Sequence, residues 1–136
     1  MTRMIFVNLP VTDLDRAKAF YEALGFTNNP QFSDDNTACM VLSETINVML
    51  LTHAQWRRFT SRPIPPSTSS EVMLALSCES RAAVDAMNDT AAAHGGEADI
   101  NPKQDLGFLY NRNLADPDGH VWEAIWMDPG AMSAAD

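Results

Sequence analysis

One carboxylate stands where a charge is costly. Glu123 interrupts Val121-Trp122-Glu123-Ala124-Ile125-Trp126-Met127, a run that is otherwise apolar. A carboxylate among apolar neighbours needs a partner or a raised pKa. Glu123 would then serve as a general base or as a hydrogen-bonding anchor for a ligand; the plainer reading is a solvated or paired glutamate. Tyr110 and Arg112 share one face of an alternating segment with Phe108. An arginine there would pair with Glu123, hold a substrate carboxylate in fork geometry, or lie exposed. Asn8 falls on the same side as Phe6 in another apolar run. Asparagine is disfavoured in strands, so its amide needs either a ligand or an internal hydrogen bond. Cys39, Met40 and Met49 would line an apolar pocket or pack a core. Arg57, Arg58 and Arg62 cluster closely enough to attract an anionic ligand, or to form a solvated basic edge.

Other chemistries find little support. His53, His94 and His120 are scattered, and no Ser-His-Asp order or phosphate-binding glycine loop occurs. The net charge of −9 opposes a phosphate backbone or an anionic membrane surface, so neither nucleic acid nor membrane is expected as a partner. Cys39 and Cys78 form no CxxC and no disulfide framework, as suits free thiols in a reducing compartment. The opening Met1-Thr2-Arg3-Met4 enters a strand pattern without an apolar leader. No apolar run approaches the roughly 18 residues of a membrane span. The expectation is a cytoplasmic protein.

The elements that must position these residues follow from periodicity. Residues 4–11 alternate as a strand, and Thr12 or Asp13 caps a helix carrying Leu14, Ala17, Tyr21 and Leu24, ended by Gly25. Three strands are predicted at 26–32, 37–42 and 46–52, then a short helix at 54–60. Residues 61–70 hold three prolines and read as a linker. The order then repeats. A strand at 72–78 leads to a Ser80-capped helix with Val84, Met87 and Ala91, ending at His94-Gly95-Gly96. Strands follow at 97–100, 107–114 and 120–127, the last two joined by the turn Asp116-Pro117-Asp118-Gly119. A frayed tail is expected over 128–136. The offset that places Phe6 on Met73 also places Val7 on Leu74, Leu9 on Leu76 and Val11 on Cys78. The predicted fold class is α+β: two βαβββ modules at about 4–60 and 71–127 in one domain of 136 residues. One such module leaves a sheet face bare, and pairing two closes a shared cavity.

Phe6-Val7-Asn8-Leu9-Pro10-Val11-Thr12-Asp13-Leu14, followed by Ala19-Phe20-Tyr21, resembles the opening signature of the vicinal oxygen chelate superfamily, which includes glyoxalase I, bleomycin-resistance proteins and extradiol dioxygenases. Asp116-Pro117-Asp118-Gly119-His120-Val121-Trp122-Glu123 resembles its closing one. Pro30-Gln31-Phe32, Cys39-Met40, Val48-Met49-Leu50-Leu51-Thr52 and Gly107-Phe108-Leu109-Tyr110 are similar to an uncharacterised branch known as predicted lactoylglutathione lyases.

The resemblance implies a glyoxalase-like domain whose mixed sheets enclose a cavity. Metal-using members place His, Glu or Gln ligands on the first and last strands of each module. The matching positions here are Phe6, Leu50 to within one residue, Met73 and Glu123. Phenylalanine and leucine cannot bind a divalent ion, and a thioether suits hard cations poorly. Glu123 alone retains a ligand type, so no cofactor is expected, a divalent metal held by other residues staying open. The implied function is a metal-independent protein that binds a small, partly apolar molecule, as a homodimer. Its pocket would be lined by Phe6, Asn8, Cys39, Met40, Leu50, Met73, Tyr110 and Arg112. The rival is a glyoxalase-like lyase or isomerase with Glu123 as general base. An extradiol dioxygenase is disfavoured, because its iron or manganese needs histidines at these positions.

Overall fold

A computed structural model describes residues 1–134. The chain divides into two compact units, Met1–Ser69 and Ser70–Asp136.

In the first unit, β1 (Ile5–Val11) runs into α1 (Leu14–Ala23), followed by β2 (Thr27–Asn29), β3 (Thr37–Val41), β4 (Ile46–Thr52) and α2 (His53–Phe59). The sheet order is β1-β4-β3-β2, with β1 parallel to β4 and the other pairs antiparallel. Asp13 caps α1 by accepting from the Arg16 N–H at 3.1 Å. Gly25, at φ +102°, lets the chain reverse so that the Phe26 N–H reaches the Tyr21 carbonyl. The strand predicted over 26–32 is shorter. Pro30 has no N–H to give a ladder, and Pro30–Phe32 forms a 3-10 turn capped by Asn29.

Alternation divides this sheet into two faces. Leu9, Leu50 and Ala38 lie abreast in register, as do Val48 and Met40. These residues are buried together with Ala17, Phe20 and Tyr21 of α1. The other face carries Phe6, Asn8 and Pro10, opposite Asn47, Met49 and Leu51 respectively.

The second unit repeats the plan. β5 (Leu74–Ser77), α3 (Arg81–Ala93), β6 (Glu97–Ala98), β7 (Gln104–Asp105), β8 (Leu109–Ala115) and β9 (Val121–Met127) precede α4 (Pro129–Ala134). The order is β5-β9-β8-β6, β7 also pairs with β8, and β5 is parallel to β9. Ser80 caps α3 through the Ala83 N–H. Val84 of α3 packs on Tyr110 and Ala124, with Cys78, Met87 and Trp126 at the edge of that core. The turn motif is held by the buried Asp116, whose Oδ1 accepts from the N–H groups of both Asp118 and His120. Gly119 completes it at φ +88°. The tail expected to fray at 128 instead carries α4; residues 135 and 136 lie outside the described residues. Among the described residues, no helix is long and apolar enough to cross a membrane.

Candidate functional site

The register identifies which residues share Glu123's side of the second sheet. Glu123 stands opposite Asn113 on β8 and Ala75 on β5. Two residues along, Ile125 faces Asn111 and Ser77, and Asn111 in turn faces Gln104 of β7. This face is therefore rich in side-chain amides. Asn111 Nδ2 donates to Gln104 Oε1 at 3.3 Å, and Asn101 Nδ2 donates to Asn113 Oδ1 at 3.1 Å. Asn111 and Asn113 are buried and Glu123 is half-buried. No hydrogen bond or ion pair engages the Glu123 carboxylate among the described residues. A carboxylate placed this way can accept a hydrogen bond or take up a proton.

Arg112 does not reach it. Arg112 pairs with Ala124, and Tyr110 with Trp126, on the opposite, α3-covered face. This sets aside the Arg112–Glu123 pair, one of the three sequence readings, because their registers differ by one residue and one residue reverses the face; nor is Arg112 the exposed arginine of another, its side chain being 11% exposed. Arg112 is instead clamped by aspartates. Its Nε and Nη2 donate to the two Asp99 oxygens at 2.9 and 2.7 Å, and its Nη1 donates to Asp85 Oδ1 at 2.9 Å. Tyr110 Oη donates to the same Asp85 oxygen at 2.6 Å. The Tyr110 hydrogen bond, then that of Arg112, holds the Asp85 carboxyl below its usual range. Arg112 does the same to Asp99, and the bond to Asp85 pushes the Tyr110 phenol up. Asp99 sits at φ +52°, a left-handed conformation that aspartate tolerates. Arg81 makes a second clamp, bidentate to Asp105 at 2.8 and 2.9 Å. It also lies 5.1 Å from the Tyr110 and Trp126 ring centroids. Asp105 is drawn down to about 2, chiefly by Arg81 and then by the Gly107 N–H. With the Tyr110 hydroxyl and each of the three Arg112 nitrogens donating to an aspartate, both residues serve the framework of the second unit.

The first unit sorts its expected pocket residues in the same manner. Phe6, Asn8 and Cys39 share the face away from α1, with Asn8 and Cys39 both opposite Met49. Leu50 and Met40 lie on the α1 face and are fully buried. The fourth-strand position is accordingly Met49, one residue from Leu50. The internal repeat agrees: Asn8 matches Ala75 by the strand offset, and their partners on the parallel neighbour are Met49 and Glu123. Burial pushes the Cys39 thiol up, so it stays protonated. Met73 precedes β5 and is exposed. Asn8 meets its amide requirement loosely, with Nδ2 donating to the Phe6 carbonyl at 3.4 Å.

A cleft of about 410 Å³ lies beside Asn8, lined by Asn8, Leu51, Trp56, Phe59 and Thr60. The sequence reading missed Leu51, Trp56, Phe59 and Thr60. The available signal was the three-residue spacing of Trp56 and Phe59, which sets both on one side of α2.

At the four positions where the resemblance implies metal ligands stand an aromatic ring, two thioethers and one carboxylate. That set does not suit a divalent cation. Among the described residues, no group of three or more His, Cys, Asp or Glu side chains is arranged to hold a metal ion.

Residues 3–43 match the family model described as bleomycin resistance protein-like N-terminal. No curated protein matches the sequence. Solved structures match over most of the chain. A hypothetical protein from S. aureus is 24% identical with a TM-score of 0.77, over 93% of this chain and 95% of that one. A glyoxalase/bleomycin resistance protein/dioxygenase family enzyme from Burkholderia phytofirmans PsJN is 18% identical with a TM-score of 0.74, over 93% and 99%. A bleomycin resistance determinant encoded on the transposon Tn5 is 20% identical with a TM-score of 0.63, over 93% and 99%. Two β-α-β units in tandem, the second with the extra strand β7, and these relatives in structure give the chain the glyoxalase/bleomycin-resistance fold, and its opening β1-α1-β2-β3 segment matches the bleomycin-resistance-like family model.

Proposed function

We propose that the chain is a vicinal oxygen chelate protein that binds a small, partly apolar molecule without the superfamily's divalent metal. One observation carries this reading. The register makes Met49 the counterpart of Glu123, which supports reading the fourth-strand ligand position as a thioether. Three of the four positions (Phe6, Met49 and Met73) are apolar or thioether. Pockets of a few hundred Å³ with few polar groups suit such ligands, and the 410 Å³ cleft beside Asn8 is of that kind. The protein is proposed to act in the cytoplasm and as a homodimer, the assembly that the resemblance to drug-sequestering members implies.

Thermal unfolding of the untagged protein against a library of pocket-sized compounds tests the function. A compound that binds the native state at a hundred times its Kd stabilises by about 2.7 kcal/mol. Several degrees of rise in Tm are expected for at least one chemical series, with no added effect of zinc, nickel or manganese. Elemental analysis of chelator-free protein accompanies the screen. A flat screen, or stoichiometric metal in the purified protein, would defeat the proposal.

A glyoxalase-like lyase is the second reading, favoured by the unpaired carboxylate of Glu123 beside Asn113. It requires turnover of a hemithioacetal or similar carbonyl substrate that Glu123→Gln abolishes.

A further inference from the structure

We infer that the cleft beneath α2 is a binding site for an amphipathic anion: a flat apolar body carrying a carboxylate or sulfonate. This rests on the small-molecule function proposed above and names the ligand class for one site within the first unit.

The walls are apolar where a ring would lie. Leu51 is buried at the base, Trp56 is half-buried, and Phe59 leaves 71% of its surface exposed. An aromatic face held open to solvent is a ready stacking surface. The volume of about 410 Å³ suits a two-ring molecule.

The polar groups in the cleft include several donors and no carboxylate. The Trp56 Nε1–H is withdrawn from water and has no acceptor among the described residues. A shielded N–H without an acceptor is uncommon and costly, and a ligand oxygen would relieve it once the indole turns toward the cleft. Asn8 Nδ2 is only loosely engaged, at 3.4 Å. Thr60 Oγ1 accepts from the Arg62 N–H at 3.2 Å, which leaves its own hydrogen free to donate.

Charge stands outside the lining, on the same helix and just after it. Arg57 and Arg58 are exposed in the last turn of α2, and Arg62 is exposed two residues beyond Thr60. None of the three has a carboxylate partner among the described residues; Arg58 donates only to Gln55, at 3.4 Å. Arg81 and Arg112, by contrast, are each locked to aspartates. In a chain of net charge −9, three guanidinium groups without carboxylate partners, within six residues of one another and adjacent in sequence to the lining residues Trp56, Phe59 and Thr60, bias a carboxylate-free cleft toward an anion through the local field.

The test is amide and indole NMR titration of the full chain with 2-naphthoate, neutral 2-naphthamide and cationic 2-naphthylmethylamine. Naphthoate should give saturable shifts at the Trp56 indole N–H and the Leu51 and Thr60 amides, with the amine weakest of the three. The Arg57→Gln/Arg58→Gln/Arg62→Gln variant should weaken naphthoate about tenfold and leave naphthamide within about twofold. These residues are exposed, so the variant is expected to fold as the parent does, and its unchanged spectrum away from α2 checks that. Equal binding of the amine, or an unchanged naphthoate-to-naphthamide ratio in the variant, would overturn the assignment; the latter would mean that the arginines serve only the C-terminal end of α2. A library compound that raises Tm but shifts residues elsewhere would also overturn it, while sparing the broader function.

Discussion

Arg112→Leu is expected to destabilise the protein by about 2–3 kcal/mol, read as a fall in Tm of roughly 6–12 °C. The guanidinium joins three separate parts of the second unit: Asp85 on α3, Asp99 after β6, and β8 itself. Its side chain is 11% exposed, while Asp85 and Asp99 are 47% and 41% exposed. Removing one partner of a fully buried pair costs about 3–5 kcal/mol. Here the abandoned carboxylates regain water, so the loss falls below that range. Arg112→Lys should recover only part of it, because one ammonium cannot form a fork to Asp99 and also reach Asp85. The acid limb of the stability curve reports the same network. Asp85 and Asp99 are held below their unfolded values, so their contribution is complete above about pH 4. It is lost as the pH falls through the lowered folded values. Asp105, at about 2, extends that loss to lower pH. Arg112→Leu should therefore flatten the dependence of Tm on pH below about pH 4 and change it little between pH 5 and 8. A parallel, uniformly shifted curve would show that the clamp does not set acid sensitivity.

The elements were legible because their signals are local. Asp13 and Ser80 are N-cap residues, Gly25 permits the positive φ that closes α1, and Asp116 to Gly119 dictate a turn. Which strand face each residue occupies was legible too: Glu123 shares a side with Ile125 and Met127, and Tyr110 shares one with Arg112. What failed was the relation between strands. Whether residue 112 or 113 stands opposite Glu123 depends on how many residues the turn consumes, and the Asp116–His120 hydrogen bond fixes that count only in three dimensions. β7 was invisible because Gln104 and Asp105 are exposed and carry no apolar alternation. Asn111 and Asn113 carry no signal of their own in an alternating strand, and only the pairing of β8 with β9 brings them to Glu123's side. The cleft depends on where α2 rests against Leu51, and no spacing rule gives that.

Leu50→Ala and Met49→Ala should behave as opposites, although the two residues are neighbours on one strand. Leu50 is fully buried among Leu9, Ala38 and the α1 side chains. Its truncation leaves a cavity in a packed core, which costs about 3–5 kcal/mol. Much of a small protein's total margin of roughly 5–15 kcal/mol would go with it. Met49 is half-buried on the face shared with Asn8 and Cys39. Its flexible thioether can be shortened at less cost, expected near 1–2 kcal/mol. Ligand binding should follow the other order. Met49→Ala alters the surface next to Asn8 and should change the affinity of any compound found by the thermal screen. Leu50→Ala, measured below its own lowered Tm, should leave that affinity within about twofold. Chemical denaturation and a binding titration on the same two variants decide the matter. If Leu50→Ala spares stability but removes binding, the register that assigns Met49 to the open face is wrong, and the metal positions must be assigned again from Leu50.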